Sequence, residues 1–119
     1  YPTVLAPPAD SLLDVGASLR NLWASLAPGG VLLVTVPALA KLDHHLLDVD
    51  RWRMTAPGLT SALEAACPGA EPDVTARGNV LVGVAFLMGI ATEELRGGEL
   101  AANDPAFPIL SFARARKPA

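Results

Sequence analysis

The stretch Leu26-Ala27-Pro28-Gly29-Gly30-Val31-Leu32-Leu33-Val34-Thr35-Val36-Pro37 decides the fold. Upstream of it, Leu12, Val15, Leu19, Leu22, Trp23 and Leu26 recur at helical spacing. Gly16 weakens that pattern, so regular helix is expected only from near Ala17. Pro28-Gly29-Gly30 stops the helix: proline cannot continue it, and glycine takes the left-handed conformation that closes its last turn. Residues 31–36 are an almost unbroken aliphatic and β-branched run, as in a strand covered on both faces within a parallel sheet. Pro37 lacks an N–H and ends the ladder. Helix, tight turn and buried strand make half of a βαβ unit.

The same logic runs outward. Residues 3–6 form a short apolar strand stopped by Pro7-Pro8. Residues 38–54 read as a long loop or mixed segment carrying His44, His45, Asp48, Asp50, Arg51, Trp52 and Arg53. Thr55 is placed to cap a helix with Pro57 in its first turn, running to about Cys67 on Leu59, Leu63 and Ala66. Pro68-Gly69 closes it, and 73–77 is a short strand. Asn79 caps an apolar helix expected over 80–91. Thr92-Glu93-Glu94 opens another helical turn, which Gly97-Gly98 breaks. Asn103-Asp104-Pro105 is turn chemistry. Residues 108–116 read as a final strand with Ile109, Leu110, Phe112 and Ala113 as core candidates.

Composition narrows the function classes. At 51% hydrophobic and 18% charged, the 119 residues are those of a globular chain, enough for one domain. The net charge is -3 and the only basic run, Arg114-Ala115-Arg116-Lys117, reads as a solvated strand end, so no nucleic-acid partner is expected. Cys67 is the sole cysteine, which excludes a disulfide framework; nothing in the sequence argues for an oxidising compartment, and a cytoplasmic location is expected. A helix over 80–91 would reach about 18 Å against a hydrocarbon core of roughly 30 Å, so no transmembrane segment is expected. The chain opens at Tyr1 inside an apolar run, as a piece of a longer domain would.

The succession of elements resembles the second half of a class I S-adenosylmethionine-dependent methyltransferase. Leu19-Arg20-Asn21-Leu22-Trp23-Ala24-Ser25-Leu26-Ala27-Pro28-Gly29-Gly30 is similar to that family's "L..L...L.PGG" signature. A bacterial subgroup carries a histidine, Asp-Tyr-Trp-Arg-Phe-Thr, Gly-Leu, Gly-Asn, Glu-Glu-Leu and Lys-Pro in that order. Here His45, Asp50-Arg51-Trp52-Arg53-Met54-Thr55, Gly58-Leu59, Gly78-Asn79, Glu93-Glu94-Leu95 and Lys117-Pro118 fill those places, with Arg51 for the usual tyrosine. Asp10-Ser11 stands where the family often has Glu-His.

The resemblance implies an α/β fold: strands four to seven of a Rossmann-like methyltransferase sheet, flanked by helices, with the last strand antiparallel between the fifth and sixth. It also implies S-adenosylmethionine as cofactor and methyl transfer to a small-molecule or sugar-type acceptor. The family's Gly-x-Gly loop and ribose-gripping acid are not in this sequence, so its cofactor-binding residues stay unassigned. Residues 1–119 accordingly read as a partial domain, inactive by itself. Two other classes stand beside this one. One is a non-catalytic interaction module that binds a partner through an uncovered sheet, whose exposed edge and apolar face would also favour a homo-oligomer. The other is a peripheral membrane protein anchored by 80–91, against which stands the lack of a basic polar face.

Among candidate site residues, His45 fits an acid–base role because histidine titrates near neutral pH; its plain alternative is a solvated loop residue. No metal site is expected, since adjacent His44 and His45 point apart and no cysteine pair or further histidine completes a ligand set. Asp50, Trp52 and Arg53 support two readings. They hold an acceptor by stacking and charge pairing, or Trp52 plugs the loop onto the sheet while Arg53 pairs with Asp48 or Asp50. Cys67 has no neighbouring base in sequence and is not read as a nucleophile.

Overall fold

A computed structural model describes residues 2–5 and 14–119. The elements run β1 (Thr3–Leu5), α1 (Val15–Ser25), β2 (Val31–Pro37), α2 (Ala56–Ala66), β3 (Asp73–Arg77), α3 (Val80–Met88), a 3-10 turn (Thr92–Glu94), α4 (Gly97–Ala101) and β4 (Leu110–Arg116). Pro7-Pro8, Asp10-Ser11 and Leu12 lie outside the described residues.

Four strands form one sheet in the order β1-β2-β4-β3. β1 pairs parallel with β2, Thr3 opposite Val31. β4 runs antiparallel to both neighbours, with Val34 and Val74 each opposite Ala113. This is the α/β arrangement expected from the sequence, with the last strand inserted between the two before it. It leaves β2 and β3 pointing the same way, so their carboxyl ends share one edge of the sheet.

Helices α1 and α2 cover one face. Leu19, Trp23 and Leu26 meet Leu32, Val34 and Val36 of β2, while Leu59, Leu63, Ala66 and Cys67 complete the core from α2. On β4 the residues facing these helices are Ser111, Ala113 and Ala115, all small and all buried. This corrects the expected core: Ala113 belongs to it, but Leu110 and Phe112 are 41% and 37% exposed and Ile109 is half-buried. Strand side chains alternate, and the register that puts Ala113 opposite Val34 sends Leu110 and Phe112 to the other face. With Leu5, Leu33, Thr35 and Thr75 they line a shallow depression of about 530 Å³.

Several local expectations hold and others shift. Thr55 Oγ1 accepts the Gly58 N–H at 3.3 Å, and Asn79 Oδ1 accepts the Val82 N–H at 2.9 Å, as caps do. Helix α1 begins at Val15, earlier than Gly16 suggested, because Asp14 Oδ1 accepts the Ala17 N–H at 2.9 Å. α3 stops at Met88 rather than 91, since Gly89 adopts φ 73° and terminates it. Gly97-Gly98 opens α4 instead of breaking a helix; Glu99 Oε2 accepts the Arg96 N–H at 2.8 Å there.

The chain's end is not simply solvated. Lys117 Nζ donates to the carbonyls of Trp23 and Leu26 at 3.0 and 2.9 Å, closing the carboxyl end of α1. A cation is stabilising there because the helix dipole is negative at that end. The Lys117 N–H donates to Gly30 O at 2.8 Å, and the Gly29 N–H to Lys117 O at 3.0 Å, so the Pro-Gly-Gly turn is stitched to β4.

Candidate functional site

The carboxyl ends of β2 and β3 converge on one cleft. Ala38 and Leu39 follow β2 directly, and their N–H groups both donate to Ile109 O, at 2.8 and 3.2 Å. Gly78 and Asn79 follow β3 and lead into α3. Between α3 and the segment entering β4 lies a pocket of about 300 Å³, walled by Leu39, Val80, Gly83, Val84, Leu87, Phe107 and Ile109 with Thr55 and Asn79 at its margin. Gly83 makes the close packing behind it: a Cβ there would meet Leu39 Cδ2 at 3.2 Å and Ile109 Cδ1 at 3.5 Å. No ionisable side chain lines the pocket. Asn79 is committed to the scaffold, its Nδ2 donating to Glu99 O at 2.9 Å and Ala102 O at 2.7 Å.

None of the four residues singled out in the sequence lines this pocket. His45 is exposed at a turn, its N–H donating to Asp43 Oδ1 at 2.8 Å. Residues 41–45 line a separate, shallow surface site. Asp50 and Arg53 come together: Nη1 meets Oδ1 at 2.6 Å and Nη2 meets Oδ2 at 3.0 Å, a two-pronged pair. Arg53 Nη1 also donates to Trp52 O at 2.9 Å. The Arg53 hydrogen bond, helped by its charge and opposed by burial, holds the Asp50 carboxyl below the usual carboxylate range. Trp52 is half-buried.

This segment is then pinned to the sheet. The Met54 N–H donates to Pro37 O at 3.1 Å, and the buried Ser111 hydroxyl donates to Met54 O at 2.8 Å. Cys67 lies in the core, where burial pushes its thiol up, so it is not poised as a nucleophile. Among the described residues, no three His, Cys, Asp or Glu side chains cluster as a metal site. The sequence signal for the pocket was the apolar run of α3. Its residues are apolar all round, which in a short helix marks a surface that meets something apolar.

A dinucleotide-like cofactor is typically cradled where a glycine-rich turn leads from a strand into a helix amino terminus. Among the described residues, Gly78 is the glycine at such a turn. The space beside it is already taken: a Cβ there would sit 2.7 Å from both Ile109 N and Phe107 O. That turn therefore provides no cradle for S-adenosylmethionine.

No protein-family model matches the chain, and no curated protein matches it in sequence. Solved structures do match in fold. The [4+2]-cyclase SpnF aligns over 100% of this chain and 50% of its own, with TM-score 0.61 and 21% identity. An S-adenosylmethionine-dependent methyltransferase from Mesorhizobium loti aligns over 98% of this chain and 62% of its own, with TM-score 0.54 and 15% identity. A possible exported protein from Bordetella parapertussis aligns over 100% of this chain and 39% of its own, with TM-score 0.54 and 16% identity. The chain thus spans about half the length of SpnF and less than two thirds of the other two. The fold is the methyltransferase fold, in the portion that ends on an inserted antiparallel strand.

Proposed function

We propose that this chain is the acceptor-side portion of an S-adenosylmethionine-dependent methyltransferase acting on a small molecule. The observation that carries the proposal is the pocket at the shared carboxyl edge of β2 and β3, where open α/β sheets bind their ligands. The cofactor would supply the methyl group and be held by residues other than those described. This chain's contribution is to bind the acceptor, orient it and exclude water. The Asp50–Arg53 pair and Trp52 stiffen the loop that leaves β2 and set one side of the acceptor's approach. The buried Cys67 thiol suits a reducing cytoplasm.

The test is calorimetric titration of S-adenosylhomocysteine into the 119-residue chain and into the full-length gene product. Binding by the full-length product and none by the chain alone is expected. Methyl transfer catalysed by the chain alone, or no binding by the full-length product, overturns the proposal.

One observation favours a second reading. The pocket has no acid or base in its wall, and one fold neighbour is described as a [4+2]-cyclase. A cycloaddition needs its substrate held in shape more than it needs proton transfer. Substrate turnover without formation of S-adenosylhomocysteine would select that reading.

A further inference from the structure

We infer that the cleft between α3 and the segment entering β4 takes an uncharged, hydrocarbon-rich small molecule: an aliphatic chain or fused-ring body without a sugar's array of hydroxyls. The inference rests on the proposal that this edge of the sheet faces the acceptor, and it adds the acceptor's chemical class. Four observations carry it.

The cleft measures about 300 Å³, the lower end of the roughly 300–1,000 Å³ range of ligand sites. Its wall is built from Leu39, Val80, Val84, Leu87, Phe107 and Ile109, with no ionisable side chain. Its two polar side chains, Asn79 and Thr55, already hold protein partners. Asn79 satisfies Val82, Glu99 and Ala102, and Thr55 Oγ1 accepts the Gly58 N–H. A sugar entering this wall would find few partners for the hydrogen bonds it gives up to leave water, whereas an apolar body gives up none and removes exposed apolar surface from water. The surface in question is large: Val80, Val84, Leu87, Leu39 and Phe107 are all exposed although they converge on one cleft. This argues against the sugar-type acceptor that the resemblance admitted.

The probe is N-phenyl-1-naphthylamine, an uncharged dye that brightens in apolar sites, titrated into the full-length gene product. Val84→Trp fills the cleft from an exposed helix position. Met88→Trp places the same bulk on α3 at a residue that is 71% exposed and outside the cleft wall. Saturable dye binding is expected, weakened about tenfold or more by Val84→Trp and unchanged by Met88→Trp, because loss of a few buried methylene contacts is worth that factor. Displacement by n-decanol but not by glucose is expected.

Four results overturn the inference. The first is no dye binding. The second is dye binding that Val84→Trp leaves unchanged, which assigns the dye to another site. The third is displacement by glucose. The fourth is flotation with phosphatidylcholine vesicles that Met88→Glu abolishes and Val84→Trp does not, which assigns α3 to a membrane surface. Dye binding without S-adenosylhomocysteine binding sinks the methyltransferase proposal and not the cleft; the converse sinks the cleft alone.

Discussion

Ser111 offers a sharp test of how the candidate site is anchored. Its side chain is fully buried on β4, and its hydroxyl donates at 2.8 Å to the carbonyl of Met54 on the loop that carries Asp50, Trp52 and Arg53. Ser111→Ala removes the donor, keeps the backbone and leaves the carbonyl without that partner. A buried group stripped of its hydrogen bond costs about 1–3 kcal/mol. Met54 is only half-buried, so water recovers part of this and about 1–2 kcal/mol is expected. For a domain of this size, that lowers the melting temperature by roughly 3–12 °C. Urea unfolding measures the free energy, and hydrogen exchange at the Met54 amide measures the anchoring, because that N–H donates to Pro37 O across the same junction. The exposed Ser61→Ala serves as control and should stay within about 0.5 kcal/mol of the parent. Stability within about 0.3 kcal/mol of the parent for Ser111→Ala, with Met54 exchange unchanged, would refute the claim that β4 holds the site loop in place.

Further outcomes follow from the same geometry. Lys117→Met keeps the aliphatic stem but leaves the last carbonyls of α1 uncapped, so a loss of about 1–2 kcal/mol by urea unfolding is expected, restored in part by Lys117→Arg. Gly30→Ala would set a Cβ 2.8 Å from Ala27 O; the turn must shift, at about 1–3 kcal/mol, readable as a lowered melting temperature. The Asp50 carboxyl titrates lower in the folded chain than when unfolded, so its pair with Arg53 adds stability above an unfolded value of about 3.9 and loses it as pH falls through the folded value. The urea midpoints of the parent and Asp50→Asn should therefore differ at neutral pH and converge in acid; a difference that persists at the acid end contradicts the pairing.

How far the site was legible depended on the range of the interaction. The caps at Thr55 and Asn79 were readable because a cap acts over three residues; the break at Pro28-Gly29-Gly30 was readable to within a turn, since α1 ends at Ser25 with Leu26 extended and Gly29 takes its positive φ in the turn that follows. The Arg53 partner narrowed to Asp48 or Asp50 because loop neighbours are few; the geometry picked Asp50. The apolar face of β4 was misassigned because Leu110 and Phe112 are the larger hydrophobes, yet the residues that the register turns into the core are the small, buried Ser111, Ala113 and Ala115. The role of Lys117 was hidden because its partners, Trp23 and Leu26, lie 94 and 91 residues away.

By itself, the sequence determined the elements: a helix that must stop at Pro-Gly-Gly, a strand that must be buried, and helices that begin at Thr55 and Asn79. These follow from backbone conformation and side-chain chemistry acting within a turn or two. The tertiary structure alone decided which face of β4 is core, that Ser111 grips the loop 57 residues earlier, and that α3 joins Leu39, Phe107 and Ile109 around an apolar cleft. Those are choices of register and approach between distant segments. Their energies come from surfaces that exist only once the sheet has formed.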